Sequence, residues 1–188
     1  MAKQKQTYKY IIADSILGAA QDEYVLSENE FYRLYSFFVT YSMCGRQSTK
    51  KRSFSDYGWA NDNIKNTILG FALGRVLNLN RNPSFIFTDK DELLDKFNSL
   101  NLSDGIALNL DNERAVVGKT SESNNYLKLF YRIRDGLAHG KFKLRYSETN
   151  KKVIVIQDDD GYNVTARIII KLDTLLSFVS VIDMNRLI

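Results

Sequence analysis

The stretch Tyr126–Gly140, YLKLFYRIRDGLAHG, decides how this chain is read: its helical pattern places charge where a helix does not favour it. At about 100° per residue, Lys128, Arg132, Asp135 and His139 fall on one polar stripe. Tyr126, Leu127, Leu129, Phe130, Ile133 and Leu137 form a broad apolar side, and Arg134 sits in its middle. A guanidinium there is costly unless it is paired, reaches water, or faces a polar pocket at an interface. His139 is the only histidine in 188 residues. A histidine before glycine also serves as an ordinary C-terminal cap favoured by the helix dipole. A chemical role and a structural one both remain open at this point.

Working outward, the period changes after Gly140. Phe142, Leu144 and Tyr146 alternate on one face, and Val153-Ile154-Val155-Ile156 answers across Ser147–Lys151, which is a β-hairpin pattern. Asp158–Gly161 reads as a second turn. A third strand is expected over Val164–Ile170, with Val164, Ala166, Ile168 and Ile170 on one face. The last helix, Lys171–Leu187, has Leu172, Leu175, Leu176, Val179, Ile182 and Met184 to bury. A sheet placed directly after the motif helix would hold its C-terminal end rigidly, as a functional histidine there requires.

Upstream the pattern is helical. Tyr8–Ala20 reads as a first helix. Ser27-Glu28-Asn29-Glu30 is a capping box that opens a second helix reaching about Met43, apolar nearly all round. A third helix is expected over Asn61–Leu77, where Gly70 and Gly74 would let another element approach closely, and a short fourth over Asp89–Leu100, with Leu93, Leu94 and Phe97 inward. Asn78–Thr88, with the only proline, reads as breaker-rich, and Asn101–Ser123 as irregular around a short buried piece at Ala115-Val116-Val117. The expected architecture is one domain over 1–188, mostly α: a helical part over 7–140, three strands within 141–170 forming a small antiparallel sheet between the last two helices, and a C-terminal helix over 171–187.

Composition narrows the chemistry. The apolar content of 44% is that of a globular domain with a real core. Eleven Tyr and eleven Phe are more than a core alone needs, so some rings are expected at a subunit or ligand surface. The net charge of +4 predicts only a modest non-specific grip on nucleic acid. Basic residues cluster at Lys3–Lys9, Arg46–Arg52 and Lys141–Arg145, and Arg46–Arg52 is the best candidate for a phosphate-contacting loop. The single cysteine, Cys44, rules out an intrachain disulfide framework and fits a reducing cytoplasm. No apolar run is long enough to span a membrane, and the N-terminus lacks a signal-peptide core. One histidine and one cysteine do not make a zinc site, and Asp158-Asp159-Asp160-Gly161 lacks the spacing of a calcium loop, so neither metal nor cofactor is expected.

Arg134-Asp135-Gly136-Leu137-Ala138-His139-Gly140 resembles the signature of HEPN domains, whose motif runs Arg, a polar residue, a short gap, then His. Four residues separate Arg134 from His139 here, and Asp135 stands where the family more often has Asn. The Ala-His-Gly run and Lys141-Phe142-Lys143 resemble common continuations of that motif. Nearly all of the resemblance lies from about Asn124 onward. It implies a HEPN-like helical bundle and a homodimer whose composite cleft cleaves RNA without metal. His139 would be the general acid/base, Arg134 would bind the scissile phosphate, and Asp135 would orient one of them. Arg132, Lys128, Lys141 and Lys143 would line the RNA path. Proteins of this kind commonly act as toxins, with an antitoxin partner, or in defence against phage and mobile elements. Other HEPN domains bind RNA, nucleotide or protein without cleaving, which is the alternative reading.

The residue types suit that chemistry. RNA cleavage without metal must take a proton from the 2′-hydroxyl, stabilise the phosphorane and protonate the 5′-oxygen. Imidazole can move either proton near neutrality, and guanidinium offers phosphate a planar, permanently charged fork. With one histidine per chain, a two-histidine arrangement needs a twofold dimer. Arg134 and His139 point about 140° apart on an ideal helix, so they converge on one phosphate only if the helix end bends or a second subunit contributes.

Overall fold

The switch from helical to alternating period after Gly140 builds the centre of the molecule. The computed structural model describes residues 23–44, 52–59, 68–77, 84–103, 109–122 and 124–183. The helix expected over Tyr8–Ala20, the basic cluster Lys3–Lys9, the first part of the helix over Asn61–Leu77, most of Arg46–Arg52 and Met184 lie outside the described residues.

The elements run α1 (Glu28–Leu34), a π-helical turn (Tyr35–Thr40), α2 (Ile68–Leu77), β1 (Phe85–Thr88), α3 (Leu93–Ser99), β2 (Arg114–Gly118), α4 (Asn125–Ala138), β3 (Phe142–Tyr146), β4 (Lys152–Asp159), β5 (Val164–Lys171) and α5 (Leu172–Ile182), with short 3-10 turns at Ser55–Tyr57 and Lys90–Glu92. The hairpin forms in the register Phe142 opposite Ile156 through Tyr146 opposite Lys152, and β5 pairs antiparallel to β4. The Ser27 capping box is present: the Ser27 N–H donates to Glu30 Oε2 at 2.8 Å and the Glu30 N–H to Ser27 Oγ at 3.3 Å. The helix it opens is α only to Leu34 and then widens into the π turn, which the Tyr41 N–H closes on Ser36 O at 2.8 Å.

The fold is mixed α/β rather than mostly α. Among the described residues its sheet has five strands in the order β1-β2-β5-β4-β3, not three, and it is not wholly antiparallel because β1 pairs parallel to β2. The two additional strands lie where the sequence reads as breaker-rich and as irregular. Both are short, and β2 is buried along its whole length. A strand covered on both faces carries no alternation to betray it. Asp158 and Asp159 belong to β4 rather than to a turn.

Both faces of the sheet are covered. Ala115, Val117, Ile154, Ile156, Ile168 and Ile170 share one core with side chains of α1, α2, α4 and α5, including Leu34, Leu73, Phe130 and Phe178. On the other face Val116, Val153, Val155 and Ile169 pack with Leu93 and Phe97 of α3. Leu94 is only half-buried. Tyr126 of α4 reaches α2 where two glycines leave room: its hydroxyl donates to Gly70 O at 3.2 Å and would lie 3.1 Å from a Cβ at Gly74.

The β4–β5 connection turns on Asp160, whose Oδ1 accepts the backbone N–H groups of Asn163 at 2.8 Å and Tyr162 at 3.1 Å. Those bonds, led by that from Asn163, hold its carboxyl at about 2, below the ordinary 3.8. A depressed carboxylate stabilises the fold above its unfolded value, and that contribution is lost as pH falls from about 4 to about 2. The carboxylate is well exposed, so Asp160→Ala is expected to cost only about 0.5 kcal/mol at neutral pH. Urea unfolding at pH 7 and again near pH 2 checks this, since the difference between the two proteins should vanish at the lower pH.

Candidate functional site

The motif helix α4 starts and stops on local signals. The Leu127 N–H donates to the Asn124 side-chain oxygen at 2.9 Å, which makes Asn124 the N-cap. At the other end the Lys141 N–H donates to Gly136 O at 2.8 Å and the Gly140 N–H to Leu137 O at 3.3 Å, with Gly140 at φ +66°. This is the Schellman arrangement, and it needs a residue at ease with positive φ at Gly140. His139 is the C-cap and is exposed. Immediately beyond, the Gln157 N–H donates to Lys141 O at 3.0 Å and ties the exit of the helix to β4. From the first residue of the π turn, the Tyr35 hydroxyl donates to Leu137 O at 3.1 Å.

Gly136 sets how closely α4 lies on the sheet. A Cβ there would stand 2.2 Å from Ile156 Cγ2, a branched methyl with little freedom to move. Alanine gains about 0.8–1.0 kcal/mol over glycine in helix propensity, but overpacking costs about 1–3 kcal/mol. Gly136→Ala is therefore expected to lower stability by up to about 2 kcal/mol. A urea midpoint at or above wild type would contradict this packing.

Arg134 resolves its awkward position by pairing. Its side chain is 11% exposed, and one Nη donates to Asp135 Oδ1 of the adjacent residue, itself 14% exposed. The Arg134 Nε is buried without a hydrogen-bond partner among the described residues. The motif thus holds a sequestered guanidinium anchored by Asp135, with His139 on the surface at the helix end.

Arg132, expected on the solvent-facing stripe, is instead buried. It donates to Asp158 Oδ2 at 2.7 Å and to Lys119 O at 2.9 Å. Asp135 pairs with Arg134 and not with Arg132. Asp158 is buried as well and also accepts the Thr165 hydroxyl at 3.1 Å; burial pushes its carboxyl up, while Arg132 pulls it down. Among the other expected RNA-path residues, Lys141 pairs with Asp159 at 2.7 Å, and Lys128 is half-buried and donates to Asn125 Oδ1 at 3.4 Å. Lys143 is half-buried on β3, whose Arg145 also forms an antiparallel bridge with Glu23. Arg145 is buried and pairs with Glu23. Arg52, the described end of the expected phosphate loop, lies over the Tyr41 ring at 4.2 Å. Arg134 and Asp135 thus pair on the last turn of α4 with His139 at its cap, while Arg132, Lys141 and Arg145 pair with acids.

The roles of three residues escape sequence reading: Asp158 and Asp159, read there only as part of a turn, and Tyr35 meet the motif segment from 26, 18 and 102 positions away. Among the described residues no group of three or more His, Cys, Asp or Glu side chains could hold a metal ion, and no helix is long and apolar enough to cross a membrane. No protein-family model, curated protein or solved structure matches this chain.

Proposed function

We propose that this chain is a metal-independent endoribonuclease of HEPN type that works as a homodimer. The observation that carries the reading is the last turn of α4, where an exposed His139 on a Schellman cap follows a sequestered Arg134 anchored by Asp135. His139 moves the proton of the 2′-hydroxyl or of the leaving 5′-oxygen. Arg134 neutralises the phosphorane charge, and Asp135 fixes the orientation of the guanidinium. The 2′-oxygen attacks phosphorus, the P–O5′ bond breaks, and the products are a 2′,3′-cyclic phosphate and a 5′-hydroxyl. The second proton transfer falls to the partner's copy of the same histidine, since each chain has one. Phe31 and Tyr32, 50% and 57% exposed on α1, support an aromatic subunit contact beside the motif helix. A role as a toxin or defence effector in the cytoplasm, with an antitoxin partner, goes with this reading.

The pairing of Arg132, Lys141 and Arg145 with acids favours a second reading, a non-catalytic module that binds RNA, a nucleotide or a protein partner. One assay separates the two. Purified protein is incubated with assorted RNAs in EDTA, and the product ends are identified. The nuclease reading expects cyclic-phosphate ends and intact DNA, which lacks the 2′-hydroxyl. RNA binding without turnover would leave only the second reading.

A further inference from the structure

We propose that Tyr35 is a positioning residue for His139, acting from the start of the π turn that follows α1 through the last turn of α4. The inference deepens the nuclease reading and rests on it for the role of His139.

The Tyr35 hydroxyl donates to Leu137 O at 3.1 Å across 102 positions of chain. Leu137 lies two residues before His139, in the turn whose carbonyls have no partner within the helix. The same carbonyl accepts the Gly140 N–H of the Schellman cap, at a long 3.3 Å. The hydroxyl therefore fastens the turn at the carbonyl where its internal bond is weak. The tyrosine is itself held: its ring stacks on Phe31 with centroids 4.2 Å apart and planes 24° apart. It also opens the π turn at Tyr35–Thr40, so the chain changes its winding at the residue that reaches α4. Such turns recur at functional sites. Burial pushes the Tyr35 hydroxyl up from its ordinary value. β4 meets the same cap from the other side through Gln157, so His139 is set between two supports.

Tyr35→Phe is the test, because it keeps the ring and its stack and removes only the hydroxyl. The expected result is a fall in kcat of about 5- to 10-fold, the worth of one net hydrogen bond, with KM unchanged. Two readings independent of cleavage accompany it. The imidazole proton signals of the chain's only histidine should shift or broaden, and amide exchange should accelerate at His139, Gly140 and Lys141 more than elsewhere. A variant that melts earlier while kcat, the imidazole signals and exchange at the cap stay at wild-type values overturns the proposal, since the hydroxyl would then be structural glue alone. Wild-type protein that cleaves no RNA overturns the nuclease reading. The imidazole signals and exchange then decide the role of Tyr35: a change confined to the cap upholds its control of this turn, and no change refutes it.

Discussion

Asp158→Ala is expected to destabilise the protein by about 3–5 kcal/mol, because it strands a buried guanidinium. Asp158 and Arg132 are 3% and 10% exposed and meet at 2.7 Å. Lys119 O satisfies only another Nη, and the Arg132 Nε already lacks a hydrogen-bond partner among the described residues. Removing the carboxylate leaves a charge that water reaches poorly, and it also frees the Thr165 hydroxyl. The attraction within the pair largely offsets desolvation, so deleting both members should hurt less than deleting one. Asp158→Ala combined with Arg132→Leu is therefore expected to recover at least half of the loss. Denaturant unfolding of the two single variants and the double gives the coupling directly. If Asp158→Ala costs less than about 1 kcal/mol, the pair does not hold α4 to the sheet in the way described.

His139→Ala is expected to lower RNA cleavage by about 10²- to 10⁴-fold, the ordinary contribution of a general acid or base. Arg134→Lys should not rescue what Arg134→Ala loses, since an ammonium offers no planar fork to phosphate and cannot reproduce the contact with Asp135. Both losses should appear in single-turnover rates while the fold, followed by circular dichroism, stays intact. Mixing His139→Ala chains with Arg134→Ala chains then tests how each cleft is assembled. If a cleft works with an arginine from one subunit and a single histidine from the other, some heterodimers regain activity; if one phosphate needs both histidines, or both groups come from one subunit, none do. Cleavage unchanged in His139→Ala would end the nuclease reading, whatever the fate of RNA binding.

Several features were legible in the sequence because each rests on interactions within a few residues. The period breaks at Gly140 where α4 ends, Ser27 and Glu30 open α1, and alternation around a five-residue connection sets the β3–β4 hairpin. Hydrogen-bonding caps and hydrophobic period are local properties, so no knowledge of the rest of the chain is needed to read them. The likeness to a HEPN motif belongs to the same local level, since it is carried by residues 134–140.

What only the tertiary structure decided lies at longer range. β1 and β2 are too short to show a period, and β2 is buried along its whole length; they become strands because β5 offers β2 an edge and β2 then offers one to β1. Arg132 and Arg134 are both charged residues on one helix, and their wheel positions place the first outside and the second inside. The structure puts Arg132 into a buried pair because the end of β4 brings Asp158 beneath it, 26 positions away. It leaves Arg134 to its immediate neighbour, Asp135. Helical period says which way a side chain points, but the neighbours that complete or neutralise its charge arrive from strands whose order and register the helix does not encode.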